Sequence, residues 1–257
     1  MPLSESETGF PTQWPEEALA RAQGHLARLV REWDLELGNR FTKVYCSLVY
    51  ATNRGIMKVP VIGEELTTGY QAMLAYDGHG GVPVLRHDDE ASAVLMPQLG
   101  ENLESEPEEK AVVIAAEAIQ RLWSAPAFAT TPLVGWYSDT VFVGSDGVLY
   151  EHLLATMKPR PLHGDLHHFN LLRSGDEWLA IDPKGMLGDP AWECAAFLRN
   201  PAGRLPSGPE LGRLLRRRVE MFSALLVLPP NRIAAWGYLD AVSCDLLESA
   251  EALRSLL

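Results

Sequence analysis

The chain has 257 residues, of which 47% are hydrophobic, and a formal net charge of −12. This length and apolar content allow a sizeable core, either in one large domain or in two lobes. Because 34 acidic residues outnumber 22 basic ones, the composition argues against nucleic acid or an anionic membrane as partner. A net negative charge suits a small-molecule partner, including a cationic one.

The N-terminal stretch MPLSESETGF has neither a basic segment nor an apolar core, so we expect no signal peptide. The longest apolar run, residues 111–116, is far shorter than the roughly 20 residues that cross a bilayer. The three scattered cysteines form no C-x-x-C pair and indicate neither disulfides nor a thiolate zinc site. We therefore expect a cytoplasmic monomer without a membrane partner.

The first part of the chain predicts a helix followed by antiparallel strands. Apolar residues recur at helical spacing after Pro15, and Gly38-Asn39 is expected to end this helix. A shorter helix is expected to end at Asp77-Gly78. Runs rich in β-branched and aromatic residues, separated by turn residues, predict strands within 41–51, 55–62 and 92–99.

The remainder of the chain is predicted to be mainly helical. Ser105 and Glu108 form a capping-box pattern before one helix, and Ser207 and Asn231 are expected to start two more. The basic run Arg216-Arg217-Arg218 is interpreted as the solvated face of the helix that Ser207 starts.

A short β interlude, two strands around residues 174–176, interrupts these helices. A linker near residues 97–100 separates residues 1–99, which are rich in strands, from residues 100–257, which are mostly helical. The sequence therefore predicts an α+β protein with a small antiparallel-sheet lobe and a larger helical lobe.

The stretch LHGDLHHFNLL, residues 162–172, admits two interpretations. His163, His167 and His168 suggest the metal cage of a hydrolase, which needs several converging ligands. However, no histidine follows residue 168, and the earlier ones show no ligand spacing. Distant carboxylates would have to complete such a cage.

The second interpretation is phosphoryl transfer. Asp165 and Asn170 have the spacing of a loop in which the Asp deprotonates an acceptor hydroxyl and the Asn binds Mg²⁺. Asp182, at the end of a predicted strand, would bind the metal that bridges the nucleotide phosphates, and Lys58, in a strand of the sheet lobe, would neutralise them. The four parts occur in the expected order, which favours this interpretation.

The segment LHGDLHHFNLL and the following WLAIDPKGMLGDPAWECAAFLRNP resemble the aminoglycoside phosphotransferase family of the protein-kinase-like fold. The similarity is greatest to the streptomycin 6-phosphotransferase and hydroxyurea phosphotransferase branch, which shares the H-G-D-L-H-x-x-N loop and the I-D-P-K-G segment. The resemblance covers roughly residues 40 to 257. It implies a two-lobed kinase-like fold, with ATP bound by the N-terminal lobe, and Mg²⁺-dependent transfer of the γ-phosphoryl group to a hydroxyl.

Carried over to this sequence, the resemblance implies that Asp165 is the catalytic base, that Asn170 and Asp182 are the metal ligands and that Lys58 contacts the α- and β-phosphates. His163 would brace the loop.

The resemblance implies further roles around this centre. Asp189 would tie down loop amides from behind the site, and His167 and His168 would be loop residues near the acceptor. The hinge facing adenine would contain Met96, Gln98 and Leu99.

Some roles stay open at this point. Glu64 or Glu65 is expected to pair with Lys58, with Glu65 preferred. Lys184 would either reach a phosphate or cap its turn, and Glu193 would bind a cationic substrate. The acidic residues of the last helix, Asp240, Asp245 and Glu248, would either form a solvated face, which is preferred, or bind a cationic substrate.

Together these observations predict an ATP- and Mg²⁺-dependent small-molecule kinase. By resemblance, streptomycin is the first acceptor to consider and hydroxyurea the second. The alternatives are a metal-dependent hydrolase built on His163, His167 and His168, and a catalytically silent kinase-fold module that only binds nucleotide.

Overall fold

The computed structural model describes residues 14–42, 44–137 and 140–257; the N-terminal stretch MPLSESETGF lies outside them. The described helices are α1 Glu16–Glu32, α2 Thr68–Tyr76, α3 Glu108–Leu122, α4 Leu133–Trp136, α5 Gly144–Thr156, α6 Ala195–Leu198, α7 Gly208–Leu226, α8 Pro230–Ser243 and α9 Leu247–Arg254. The described strands are β1 Leu37–Phe41, β2 Ser47–Thr52, β3 Gly55–Pro60, β4 Arg86–Asp88, β5 Ala93–Met96, β6 Thr131–Pro132, β7 Arg160–Leu162, β8 Leu171–Ser174, β9 Glu177–Ala180 and β10 Met186–Gly188.

The first five strands form an antiparallel sheet in the order β1-β2-β3-β5-β4. Side chains alternate between the faces of a strand, so Met57 and Val59 of β3 pack with α1 on one face, while Ile56 lies in a second core on the other, together with Tyr70 of α2. Lys58 shares the face of Ile56. The sheet therefore presents this lysine on the side away from α1.

The helical part packs around one large core. Many of its buried residues come from α3, α7, α8 and α9, among them Ile119, Phe222 and Trp236. The hairpin of β8 and β9 and the small sheet of β6, β10 and β7 lie beside these helices. Residues 163–170 connect β7 to β8, and residue 182 follows β9. The two short sheets thus position both segments that carry the predicted catalytic residues.

The predicted fold class, an α+β kinase-like arrangement with an antiparallel sheet followed by a helical lobe, is confirmed. The strands expected within 41–51, 55–62 and 92–99 correspond to β2, β3 and β5, and the hairpin around residues 174–176 to β8 and β9. The short helix ends before Asp77 as expected. The division at residues 99 and 100 stays a prediction.

Two predicted helix ends are wrong for the same reason. The first helix ends at Glu32, before Gly38-Asn39, which lie in β1. The helix expected from Asn231 onwards is two helices, α8 and α9, and α8 begins at Pro230. In both places a non-glycine residue adopts the left-handed conformation, Asp34 with φ 53° and Asp245 with φ 56°. Such a residue ends a helix as a glycine would, but without the glycine that marks it in a sequence.

Two other local predictions are also wrong. Ser105 caps no helix: it belongs to the short 3-10 turn Leu103–Ser105, and Pro107 precedes α3 without a side-chain cap. Arg218 is not solvated, because its side chain is only 1% exposed and donates hydrogen bonds to Glu108 and to three backbone carbonyls. The helix face that looked basic and solvated therefore partly faces the core.

Candidate active site

Lys58 is the first component of the site and lies between two carboxylates. Its Nζ is 2.6 Å from Asp182 Oδ1 and 3.1 Å from Glu65 Oε2. Burial alone would lower the pKa of Lys58, but the charges of Asp182 and Glu65 raise it above its ordinary value. Ser47 donates a hydrogen bond to Glu65. Of the two glutamates left open by the sequence, Glu65 is therefore the partner of Lys58.

The loop after β7 is fixed by His163. The imidazole Nε2 lies 2.8 Å from the Ile181 carbonyl oxygen, and Nδ1 accepts the Asp165 backbone N–H at 3.2 Å. Burial lowers the pKa of His163 to about 4, so the ring is neutral near pH 7. A neutral imidazole can donate at one nitrogen and accept at the other, which is the bracing role expected of this residue.

Glu193 also holds this loop. Its Oε2 accepts the His163 backbone N–H at 2.8 Å and its Oε1 accepts the Gly164 N–H at 3.0 Å. Its side chain is buried, so it does not lie where a cationic substrate would meet it. The role of tying down loop amides, which the sequence assigned to Asp189, is filled by Glu193.

Asp189 has a different task. Its Oδ1 accepts the Ala191 N–H at 3.0 Å, and its Oδ2 accepts a hydrogen bond from Arg232 Nε at 2.6 Å. It therefore caps its own turn and joins that turn to α8, which carries Arg232. Asp189 therefore binds an amide of its own turn, two residues on, and not the amides of the loop that carries Asp165.

Asp165 lies among cationic and imidazole groups. Its Oδ1 is 3.7 Å from His167 Nε2 and 3.4 Å from Arg199 Nη2. Burial alone would raise the pKa of Asp165, but the hydrogen bond and charge of His167 and the charges of Arg199 and Lys184 lower it below its ordinary value. The carboxylate is thus held ionised, as a group that accepts a proton from a hydroxyl must be.

Two cavities meet at Lys58 and Asp182, which line both. The first, of about 420 Å³, is mostly apolar in its lining and includes the expected hinge residues. The second, of about 620 Å³, is lined by the loop of Asp165 and by residues of both lobes. We call them the hinge cavity and the acceptor cavity. The hinge residues in question are Met96, Gln98 and Leu99.

Of the two neighbouring histidines, His167 and His168, only the first lines the acceptor cavity. His167 lines it, whereas His168 is buried and stacks on Phe197 with ring centroids 4.1 Å apart. Burial, together with the nearby charge of Arg218, lowers the pKa of His168 to about 3. His168 is therefore a packing residue. The sequence-based expectation that it lies near the acceptor is wrong, because it does not line the acceptor cavity.

The side chains of Asn170 and Asp182 fit a magnesium ion. Asn170 Nδ2 donates to the Asp165 carbonyl oxygen at 2.9 Å, and its amide oxygen has no hydrogen-bond partner in the part of the chain that the structure describes. Asp182 adopts the left-handed conformation, φ 58°, a strain that is typical of functional sites. An amide oxygen and a carboxylate are the hard ligands that Mg²⁺ binds.

The histidine-cage hypothesis has no support. Within residues 14–42, 44–137 and 140–257 there is no group of three or more His, Cys, Asp or Glu side chains that could hold a metal. His163 uses both ring nitrogens on the backbone, His168 packs on Phe197, and His167 alone lines the cavity.

Arg199 was not identified from the sequence, and Asp240 was expected on a solvated face or at a cationic substrate. Arg199 lines the acceptor cavity, and its Nε donates to Asp240 Oδ2 at 2.8 Å. Asp240 is only 2% exposed, so it is neither on a solvated face nor available to a cationic substrate. The signal was faint: Arg199 ends the apolar run 194–198, and Asp240 lies between apolar residues of α8.

The fold of the chain is similar to the folds of two solved kinases. The fold matches choline kinase LicA from Streptococcus pneumoniae with a TM-score of 0.60, at 16% identity and with 90% of this chain and 92% of that chain covered. It matches a thermostable mutant of aminoglycoside phosphotransferase APH(4)-Ia, solved with ADP and hygromycin B, with a TM-score of 0.53 at 15% identity, over 89% and 95% of the two chains. At these identities the likeness shows the fold alone.

The sequence comparisons define the family. The model of the aminoglycoside/hydroxyurea antibiotic resistance kinases matches residues 51–248, and the chain belongs to this family. Streptomycin 6-kinase of Streptomyces griseus is 28% identical over 258 residues, covering 90% of this chain and 84% of the relative. Hydroxyurea phosphotransferase of Kitasatospora aureofaciens is 28% identical over 242 residues, covering 83% and 69%.

The predicted enzyme class is thereby confirmed: the protein is a small-molecule phosphotransferase with a hydroxyl group as acceptor. Across the described residues we find no helix long and apolar enough to cross a membrane.

Proposed function

We propose that this kinase uses ATP and Mg²⁺ to phosphorylate a small molecule, with a streptomycin-type aminoglycoside as the first acceptor and hydroxyurea as the second. One observation carries the proposal. Lys58 and Asp182, separated by 124 positions, meet at 2.6 Å where the hinge and acceptor cavities adjoin. A nucleotide in the hinge cavity would place its phosphates at this junction, next to the loop of Asp165.

The two lysines of the junction suit the nucleotide phosphates. Glu65 keeps the ammonium of Lys58 in place for the α- and β-phosphates. Lys184 lies 3.7 Å from the other oxygen of Glu65, lines the acceptor cavity, and makes no side-chain hydrogen bond to a described residue. We therefore assign Lys184 to the phosphate that is transferred, in preference to a structural role in its turn.

Asp165 would orient the acceptor hydroxyl and take its proton. As the acceptor oxygen bonds to the γ-phosphorus, the bond from that phosphorus to the oxygen of the β-phosphate breaks, and its electron pair leaves with ADP. When bound at Asn170 and Asp182, Mg²⁺ would neutralise the charge that the phosphates carry and develop. Positioning and charge neutralisation supply most of the rate enhancement.

The size of the acceptor region favours a large acceptor. Beside the acceptor cavity of about 620 Å³ lies a further cavity of about 390 Å³ between residues 202–207 and the start of α9, and the two share Arg199 and Ala202. A ligand site usually buries most of its ligand's surface. A multi-ring aminoglycoside would fill this space, whereas hydroxyurea would occupy a small part of it.

The test is ATP consumption by the purified protein with streptomycin or hydroxyurea as acceptor, with the phosphorylated product identified by mass spectrometry. We expect turnover that requires Mg²⁺ and stops with a chelator. D165A should lower kcat by about 10³-fold while nucleotide binding, measured by calorimetry, persists. Retained turnover in D165A would refute the assignment, and nucleotide binding without turnover of any hydroxyl acceptor would support the silent module.

We also propose that the protein acts in the cytoplasm, because ATP is its phosphoryl donor in this scheme. The monomeric state stays a prediction.

A further inference from the structure

Two side chains contact the same oxygen of the catalytic-loop carboxylate. Arg199 Nη2 and His167 Nε2 both approach Asp165 Oδ1, at 3.4 Å and 3.7 Å. In the described part of the chain no side chain donates a hydrogen bond to Oδ2 of Asp165. Among the described side chains, the two oxygens of this carboxylate are therefore not equivalent, since Arg199 and His167 both approach Oδ1.

Arg199 is itself held in place from behind. Its Nε donates to Asp240 Oδ2 at 2.8 Å, and Asp240, on α8, is 2% exposed. Tyr137 donates to the other oxygen of Asp240 at 3.4 Å, and Trp192 Nε1 donates to the Tyr137 hydroxyl at 2.7 Å. A buried carboxylate that loses its cation is left uncompensated, so this pair resists separation.

The contact between Arg199 and Asp165 is long for a hydrogen bond but short for two opposite charges. Its direction is set by the guanidinium plane, because an arginine fork presents its Nε and Nη2 donors in a fixed geometry. With Nε committed to Asp240, Nη2 has little freedom to move away from Asp165. Asp240 on α8 is thus linked to the Asp165 carboxylate through the guanidinium group of Arg199.

We infer that Arg199 is a positioning residue of the phosphoryl transfer: anchored by Asp240, it fixes the Asp165 carboxylate by Oδ1 and leaves Oδ2 to receive the acceptor hydroxyl. This inference rests on the proposed function, since it needs a hydroxyl acceptor at Asp165. Asp240 lines neither the hinge cavity nor the acceptor cavity. It acts on the reaction only through Arg199.

The inference is tested with three variants, R199Q, D240N and the double variant R199Q/D240N. R199Q and D240N should each lower kcat by about 10- to 100-fold, because a small misplacement of a catalytic group has effects of this size. The KM for ATP should change by less than about 3-fold, since neither residue lines the hinge cavity. The pair Arg28 and Asp88, which is bidentate and lies in the sheet lobe, supplies the control R28Q/D88N with unchanged kcat.

The double variant separates positioning from stability. It removes both charges and leaves two amides that can bond each other, so its Tm should recover most of what R199Q loses, while kcat stays low. Recovery of kcat together with Tm would overturn the inference, because Arg199 would then be merely structural. A raised KM for the acceptor with normal kcat in R199Q would also overturn it, because Arg199 would then only bind substrate.

A crystal structure of D240N gives a result that does not need turnover. We expect the Arg199–Asp165 contact to be lost and the Asp165 carboxylate to rotate; an Asp165 side chain that stays in place would overturn the inference. If the wild-type protein phosphorylates no acceptor, the proposed function fails, whereas the position of Asp165 in D240N still decides the role of Arg199 in holding it.

Discussion

The E193Q substitution gives a sharp test of how the catalytic loop is held. Glu193 is 2% exposed and accepts two backbone N–H groups of the loop, from His163 and Gly164. Burial raises the pKa of Glu193 to about 7 from an ordinary 4.5, against the lowering effect of those two hydrogen bonds. The folded protein therefore binds this proton more tightly than the unfolded chain does.

The sign of the pH effect follows from linkage. For an acid whose folded pKa is raised, the folded state holds more protons between pH 4.5 and 7, so raising the pH through this window lowers the free energy of unfolding. With these two pKa values, the free energy of unfolding is lower than its value well below pH 4.5, by about 1 kcal/mol at pH 5 and by about 3 kcal/mol at pH 8. E193Q cannot ionise, so this part of the pH dependence should disappear.

The assay is urea unfolding of wild type and E193Q at pH 5 and pH 8. The difference in free energy of unfolding between the two proteins should shift by about 2 kcal/mol between these pH values, in favour of E193Q at pH 8. At pH 5, E193Q should be roughly 1–3 kcal/mol less stable than wild type, because the glutamine amide can accept only one of the two N–H groups. E117Q, at an exposed site on α3, is the control, and a difference that is equal at both pH values would refute the reasoning.

Three further predictions concern the rest of the site. K58M should lose about 3–5 kcal/mol of stability, because it removes the ammonium that lies between the carboxylates of Glu65 and Asp182, and should weaken ATP binding at least tenfold by calorimetry; unchanged binding would contradict the role of Lys58. G185A should lower Tm more than G175A: both glycines have positive φ, but a Cβ at Gly185 collides with the Thr68 carbonyl, whereas nothing lies within 4 Å at Gly175. Removal of Mg²⁺ by a chelator should abolish phosphoryl transfer and leave the thermal unfolding of the nucleotide-free protein unchanged, and added Mg²⁺ should restore activity.

The sequence was sufficient to predict the proximity of site residues that lie only a few positions apart in the chain. The five-residue interval from Asp165 to Asn170 predicted a loop that the structure folds on itself, with the Asn170 amide on the Asp165 carbonyl. The proximity of Lys58 to Asp182 needed more, because a contact across 124 positions has no local signal. It followed from the chain order of the parts that phosphoryl transfer requires and from the predicted sheet and helical lobes, and the resemblance to the family supported it.

The sequence was insufficient for charged residues whose partners are remote. Asp240 and Arg218 lie on amphipathic helices where a solvated face is the usual explanation of a charge, yet the structure buries each against an opposite charge from another element. Glu193 offered a better signal, since it interrupts the apolar run 191–198. A carboxylate enclosed by apolar residues indicates a committed hydrogen-bond acceptor more than a substrate contact.

The groups that hold the catalytic loop and those that surround the acceptor come from different parts of the chain. Glu193 fixes the loop backbone and Arg199 contacts the Asp165 carboxylate, and both belong to one short segment anchored on α8. The acceptor cavity is closed elsewhere, by residues 44–47 after β1, by Trp136 and by the loop at residue 202. Substitutions in these outer walls can therefore change which molecule enters without moving Asp165, the proposed base. We accordingly expect acceptor preference in this family to follow the wall segments, while the Glu193–Arg199–Asp240 support keeps the phosphoryl transfer itself the same.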